Sequence, residues 1–237
     1  MELRETTVHW KQDGAVMSRS LADVQFADLR SAAPWRVVRS FHGQSHYAGW
    51  YWAATTGGLV CYESRLELAR LLMADHDRST SWIIAQPFLI ETMTARGRRR
   101  HVPDFLLFDE RAAGTVVDVK PQDQLALPRV AEALAWPKEL FAARGWRFEV
   151  WSTALAVRLA NLRFLAGYRR ADRCDPVALA LARSRASEAE TIGALEVLCA
   201  NGSTQLLVRP AVLHLVWQDE IHVDLDEPLG LDTRLEV

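Results

Sequence analysis

Two hydrophobic periods alternate along this chain, and together they predict a mixed α/β protein. Residues 102–120 (VPDFLLFDERAAGTVVDVK) contain two apolar runs around the polar turn ERAAG, which predicts two adjacent antiparallel strands. Residues 62–77 (YESRLELARLLMADHD) place apolar side chains at helical spacing opposite a charged face. The order of a helix, three strands, a helix and another strand indicates an α/β core with a mixed central sheet.

Weaker patterns predict the remaining elements of the first 171 residues. Asp13-Gly14 is a favoured tight-turn pair and predicts an N-terminal hairpin. Residues 125–145 are helical in pattern, and Pro128 and Pro137 are expected to break or bound that helix. Strands are predicted at 35–41, at 81–93 (SWIIAQPFLIETM) and at 145–152 (GWRFEVWS), and residues 94–101 (TARGRRRH) are predicted to form a turn.

The pattern changes at Asp172, so we predict domains at 1–171 and 172–237. Two helices are expected after this point, the first capped by Asp175 with Pro176 at its first position and the second capped by Ser187. A short third helix is expected to run into a hairpin around residues 218–220. Three helices followed by a hairpin is the order of a winged helix.

Composition argues against a membrane protein, a secreted protein and a protein held together by disulfides or structural zinc. With 237 residues, 49% apolar and 24% charged, the chain has the composition of a globular protein of one or two domains. It has no apolar run of membrane-spanning length and no secretory segment at its N-terminus, which predicts a cytoplasmic protein without membrane contact. Three widely separated cysteines argue against a disulfide framework and against structural zinc.

Charge is unevenly distributed between the predicted domains. The net charge is −2, yet residues 1–171 hold 23 Lys and Arg against 18 Asp and Glu, and residues 172–237 hold 5 against 12. A mildly basic first domain can approach phosphates, whereas an acidic one repels them. We therefore expect the C-terminal domain to dock a basic partner protein or to pack on the first domain, and to bind DNA weakly.

The predicted hairpin at 102–120 carries the candidate chemistry. Antiparallel pairing sets Asp104 beside Asp118, and the period of two turns Lys120 to the same face as Asp118. Two buried acids at this distance repel or share a proton unless a hard divalent cation lies between them. Such a site suits phosphodiester hydrolysis. The alternative is an ordinary hairpin with exposed acids, but both acids lie in or beside strongly apolar runs.

Two further groups of residues extend this hypothesis. Glu63, at the start of the predicted helix, would complete a set of three carboxylates, although a helix dipole alone also favours an acid there. Four arginines just before the hairpin would contact DNA backbone beside a scissile bond, or else form a solvated charge run: Arg96, Arg98, Arg99 and Arg100.

The motifs Pro103-Asp104 and Asp118-Val119-Lys120, with Glu63 before them, resemble those of the PD-(D/E)xK nuclease superfamily. A more specific resemblance covers most of the chain. Several blocks occur in the order found in TnsA, the endonuclease subunit of Tn7-like heteromeric transposases: GWYWAATTGGLVCYESRLE, QPF, RGRRRHVPDF, VVDVKP and GWRFEVW through NLRFLAGYR.

This resemblance implies a restriction-endonuclease-like core with an N-terminal extension. It implies that Glu63, Asp104 and Asp118 hold Mg²⁺ or Mn²⁺, that the Val119 carbonyl is a further ligand, and that Lys120 positions the attacking water. TnsA-type subunits cut the non-transferred strand at the 5′ ends of a transposon, beside a TnsB-like DDE transposase and under the control of a TnsC-like AAA+ ATPase. Some TnsA proteins have Gln at the position of Asp118, and the acid here should strengthen metal binding.

Two other functions compete with a DNA endonuclease of a transposition complex. A stand-alone restriction or repair nuclease on the same scaffold would be active without partners. A nuclease-derived assembly protein would bridge DNA and partners without cutting. The simultaneous presence of Glu63, Asp104, Asp118 and Lys120 argues against this last reading.

Overall fold

A computed structural model describes residues 3–36, 47–94, 97–200 and 205–236. Most of the strand predicted at 35–41 lies outside these ranges, as does Arg96. Within them, none of the helices combines the length and the apolar character needed to cross a bilayer.

The described residues form strands and helices in mixed order. The strands are β1 (Thr6–Gln12), β2 (Ala15–Ser20), β3 (Gly49–Ala53), β4 (Gly58–Tyr62), β5 (Trp82–Ala85), β6 (Leu89–Thr94), β7 (Gly97–His101), β8 (Phe105–Phe108), β9 (Gly114–Val119) and β10 (Arg147–Trp151). The helices are α1 (Phe26–Leu29), α2 (Arg65–His76), α3 (Pro128–Arg144), α4 (Ala156–Leu165), α5 (Pro176–Arg185), α6 (Ile192–Ala200) and α7 (Gln205–Trp217).

The chain divides into two compact units. The first comprises Met1–Asp75 and Ser79–Thr153, and the second comprises His76–Arg78 and Ala154–Val237. This division falls earlier in the chain than the predicted boundary between residues 171 and 172. The reason is that α4 packs against α7 and therefore belongs to the second unit.

The central sheet of the first unit has the order β10-β9-β8-β5. β9 runs antiparallel to β8 and parallel to β10, and β8 runs antiparallel to β5, so the predicted mixed sheet is confirmed. β8 and β9 form the predicted hairpin, with Phe105 opposite Val117. Every residue of β8 is buried, and on β9 only Thr115 is not, which explains the continuous apolar runs in the sequence.

A second sheet and a ribbon complete the strands of the first unit. The second sheet has the order β2-β1-β6-β7, and β3 pairs with β4 alone. The predicted N-terminal hairpin is confirmed, since Asp13 and Gly14 both adopt positive φ between β1 and β2.

One strand prediction and one turn prediction were wrong. The run 81–93 is not one strand but two, β5 and β6, which belong to different sheets. Gln86 has a φ of 47° and reverses the chain between them, a conformation that a single strand does not allow. The segment predicted as a turn at 94–101 contains β7 instead, because its arginines pair with β6 along their backbone.

Helix α3 packs on the hydrophobic core of the first unit through Trp136, Leu140 and Phe141. Pro128 begins this helix, as predicted, because its missing N–H has no partner to lose in the first turn. Pro137 does not end the helix but lies inside it. The buried apolar face of α3 outweighs the hydrogen bond that this proline removes.

Three helices, α5 to α7, form in the second unit, as predicted. Asp175 caps α5 by accepting a hydrogen bond from Ala178 N–H at 2.8 Å. Thr191 rather than Ser187 caps α6, because Ser187 lies in a preceding 3₁₀ turn. The hairpin predicted around residues 218–220 is not formed: His222 pairs with Glu236 and Thr191 with Arg234, each in an isolated bridge.

Candidate functional site

The two predicted aspartates lie at one end of the β8–β9 hairpin. The Asp104 N–H donates to the Val117 carbonyl at 3.0 Å, and the Asp104 carbonyl accepts from Gln86 N–H at 2.8 Å. Asp104 is therefore fixed between β9 and the end of β5. Asp118 follows the register of β9 and faces Val150 of β10. Both carboxylates are thus attached to backbone that the hydrogen bonds of the central sheet hold rigid.

Asp118 is fully buried. Its Oδ1 lies 3.0 Å from His101 Nε2, but its Oδ2 has no hydrogen-bond partner among the described residues. A buried carboxylate oxygen without a partner is costly, because it loses its hydration and gains nothing in return. The unsatisfied oxygen therefore marks a place where a ligand can bind.

Asp104 is held by charge and by hydrogen bonds. Its Oδ2 accepts from the Val119 N–H at 2.6 Å and lies 3.6 Å from Lys120 Nζ. Burial raises the pKa of the Asp104 carboxyl group, and the charge of Asp118 acts in the same direction. Lys120 and the Val119 N–H lower this pKa but do not cancel the effect of burial.

Lys120 follows β9 immediately. Its backbone N–H donates to the Trp151 carbonyl at 2.9 Å, which anchors it to the end of β10. Its Nζ donates to the Val119 carbonyl at 3.0 Å, the oxygen that the resemblance assigns to the metal. The ammonium group thus lies beside Asp104, as the sequence predicts, and it remains partly exposed to solvent.

The predicted third acid, Glu63, forms an ion pair with an arginine, Arg36. It lies between β4 and α2, and one of its oxygens is 3.4 Å from Arg36 Nη1. Glu67 lies one turn later, and its pKa is raised by burial first, with the charge of Asp104 among the other causes. Glu67 also accepts hydrogen bonds from Glu63 N–H and the Ser64 hydroxyl, and so caps α2.

The predicted arginines occupy two faces of β7. Arg98 and Arg100 both pair with Glu91 on β6. Arg99 lies on the other face, 3.5 Å from Glu132 of α3, and shares that face with His101. Of the described arginines in this run, Arg99 alone shares the face of the residue that contacts Asp118.

The residues fit a hard divalent cation in part. Asp118 Oδ2 has no hydrogen-bond partner among the described residues, the Asp118 charge raises the pKa of Asp104, and carboxylate oxygens are the ligands that Mg²⁺ and Mn²⁺ prefer. Within the described ranges, however, no three His, Cys, Asp or Glu side chains are already arranged to hold a metal ion. A third carboxylate, imidazole or thiolate ligand is therefore not in place among the residues that the structure describes.

Two residues were not predicted from the sequence: His101, which contacts Asp118, and Glu67, whose pKa is raised by burial first and by the charge of Asp104 among other causes. Glu67 had a detectable signal, since Ser64 and Glu67 have the spacing of a capping box. This capping role explains the residue without any reference to Asp104. His101 had no signal, because its contact with Asp118 depends on β7 being a strand.

Comparison with known proteins identifies one segment. Residues 77–153 match the family model described as TnsA-like endonuclease N terminal. No curated protein matches the chain. The matched segment contains Asp104, Asp118 and Lys120 but neither Glu63 nor Glu67. The resemblance to TnsA is thereby confirmed over this segment, which indicates a nuclease related to a transposase subunit.

Proposed function

We propose that this protein is the metal-dependent DNA endonuclease subunit of a heteromeric transposase and that it cuts the non-transferred strand at the 5′ ends of a transposon. The observation that carries the proposal is the Oδ2 of the fully buried Asp118, which has no hydrogen-bond partner among the described residues, at the end of the hairpin where Asp104 pairs with Lys120. The family match over residues 77–153 supports the same conclusion. In this proposal the first unit is a PD-(D/E)xK nuclease core.

Asp104 and Asp118 would hold Mg²⁺ or Mn²⁺, with the Val119 carbonyl as a further ligand. Glu63 or Glu67 would supply the third carboxylate; we favour Glu67, because Glu63 pairs with Arg36 and the charge of Asp104 is among the causes that raise the pKa of Glu67. A bound divalent ion polarises the scissile phosphate and lowers the pKa of a water molecule.

The protein's own residues orient the reactants. His101 holds Asp118 Oδ1, so that Oδ2 is directed consistently toward the site. Lys120 brings an ammonium group beside Asp104, where it stabilises the negative charge that develops on the phosphate and on the attacking oxygen. Arg99 shares the face of His101 and contacts the DNA backbone near the cut.

The second unit would serve assembly. Its C-terminal part, residues 172–237, holds 5 basic and 12 acidic residues and is poorly suited to phosphates. Its partner would be a TnsB-like transposase or a TnsC-like AAA+ ATPase with a basic surface.

Strand-specific cleavage tests this function. Transposon-end DNA is incubated with Mg²⁺ or Mn²⁺ and the partner transposase, and wild type is compared with Asp104→Ala and Lys120→Ala. We expect loss of 5′ cutting with 3′ cutting retained. Unchanged 5′ cutting in both variants would remove the proposal, and full activity without partners would favour a stand-alone nuclease.

A further inference from the structure

A cleft of about 410 Å³ lies on the His101 side of β7, between this strand and helix α3. It is lined by Arg99, Arg100, His101, Arg129, Glu132, Ala133 and Trp136. Sites for small organic molecules commonly enclose roughly 300–1,000 Å³. The cleft is therefore larger than a single phosphate requires and suits a group of nucleotide size.

The charge of the cleft favours an anion. Arg99 and Arg129 line it against the single carboxylate of Glu132, whereas the guanidinium group of Arg100 pairs with Glu91 on the other face of β7. Glu132 pairs with Arg99 at 3.5 Å, but its side chain is 69% exposed and can move into solvent when an anion takes its place. Arg129 forms no ion pair within the described part of the chain, so its charge is available to a ligand.

The start of α3 points to the same ligand. Its first turn contains no acidic residue and its Leu127 N-cap provides no side-chain cap, yet it contains Arg129. A cation is unfavourable at the positive end of a helix dipole, where an anion is stabilised. A bound phosphate would offset both the dipole and the Arg129 charge.

Trp136 adds an independent observation. Its side chain is 7% exposed, it lines the cleft, and its indole Nε1 is buried without a hydrogen-bond partner among the described residues. Pro137, the next residue, cannot donate the helical hydrogen bond that the Ala133 carbonyl would otherwise accept. The cleft is thus lined by a residue whose donor has no partner among the described residues, beside the Arg99 and Arg129 side chains.

We propose that this cleft binds one nucleotide unit of the DNA strand next to the scissile phosphodiester. The Arg99 and Arg129 guanidinium groups hold its phosphate, and the Trp136 N–H donates to the sugar or base. Its position follows from His101, which lines the cleft and also contacts Asp118. The inference rests on the proposed nuclease function and adds a binding site to it.

Binding of a fluorescently labelled short DNA duplex by the full-length protein tests this proposal, in buffer with EDTA so that no strand is cut. We expect Arg99→Ala and Arg129→Ala each to raise Kd about tenfold at low salt and to reduce the slope of log K against log[salt] by about one. Trp136→Phe keeps the aromatic packing and removes the N–H. It should raise Kd about threefold without changing the slope, since no charge is lost.

Two further variants give the matched comparisons. Arg111→Ala removes the same charge from the turn at the far end of the β8–β9 hairpin, and it should change Kd less than twofold. Glu132→Gln removes the competing carboxylate and should tighten binding severalfold. Thermal unfolding of each variant confirms that it is folded.

The proposal is overturned if Arg99→Ala and Arg129→Ala bind like wild type, if Arg111→Ala weakens binding as much as they do, or if wild type shows no binding at low salt. Failure of the nuclease function has a different signature. In that case Asp104→Asn would retain 5′ cutting while the binding differences among the arginine variants persist.

Discussion

The Asp104 carboxyl group is buried, and burial disfavours its ionised form. Its pKa is raised by burial first, and Asp118 adds to this. A carboxyl group with a raised pKa in the folded state binds its proton more tightly there than in the unfolded chain. The free energy of unfolding therefore falls as pH rises through the window between the unfolded pKa, about 3.9, and the higher folded value. Above that window the carboxyl group contributes less to the free energy of unfolding than it does below it.

Replacing Asp104 should abolish Mg²⁺ binding without lowering the thermal stability of the protein. Asp104→Asn retains an oxygen that accepts from the Val119 N–H but carries no charge. We expect its Tm at pH 7 to equal or exceed that of wild type. Mg²⁺ at a hundredfold excess over its Kd should raise the wild-type Tm by about 5–10 °C and leave the variant unchanged. Calorimetry with and without EDTA checks both expectations; an equal Mg²⁺ shift in the two proteins would place the ion elsewhere.

The identity of the third carboxylate can be tested in a similar way. Glu67→Gln keeps a side chain that can cap α2 at the Glu63 N–H, and it removes the charge near Asp104. Because Glu63 faces Arg36, we expect Glu67→Gln to reduce the cleavage rate at least a hundredfold and Glu63→Gln to reduce it less than tenfold. Single-turnover cleavage of transposon-end DNA measures both rates. The reverse order would assign the role to Glu63.

The positions of individual site residues could be predicted from the sequence where strand pairing and side-chain alternation alone determine them. Asp104, Asp118 and Lys120 depend only on a hairpin and on the period of a strand, and they were predicted together. Glu67 could not be preferred over Glu63, since both lie near the start of the same helix and the direction of each side chain is set by distant residues: Arg36 for Glu63 and the helix cap for Glu67. His101 depends on the pairing of β6 with β7, which an arginine-rich segment does not suggest.

Elements with a strong period were predicted best. Helix α2 and the β8–β9 hairpin have clear periods and near-correct bounds. The errors lie where tertiary structure overrides local preference. The reversal at Gln86 separates β5 from β6 without a glycine, and α3 continues through Pro137 because its apolar face is buried.

Helix α2 is tied to the central sheet by one ion pair. Arg70 donates from Nε and Nη2 to the two oxygens of Glu149 on β10, at 3.1 and 2.9 Å, and its side chain is 11% exposed. We expect Arg70→Ala to reduce the free energy of unfolding by about 1.5 kcal/mol and Tm by about 3–6 °C. A double-mutant cycle with Glu149→Ala isolates the pair. Additive losses in the double variant would show that the two residues act independently.

At the scale of the whole molecule, the charge contrast depends on where the chain is divided. By compact units, the first holds 18 basic and 17 acidic residues and the second 10 and 13. The large contrast predicted from a boundary at 171/172 is thus much reduced, because Arg158, Arg163, Arg169 and Arg170 belong to the second unit. Net charge alone therefore does not assign DNA binding to the first unit. The assignment depends on where its arginines lie.

This reasoning predicts that arginines of the second unit contribute little to DNA binding. Arg163 and Arg173 are exposed, and Arg173 belongs to residues 172–237, in which acidic residues outnumber basic ones by 12 to 5. In the full-length protein, we expect Arg163→Ala combined with Arg173→Ala to leave the Kd for a DNA duplex within twofold of wild type and the salt slope unchanged. Fluorescence anisotropy over a salt series measures both. A slope reduced by about two would mean that both arginines contact phosphates, and DNA binding would then extend to the unit to which we assign assembly.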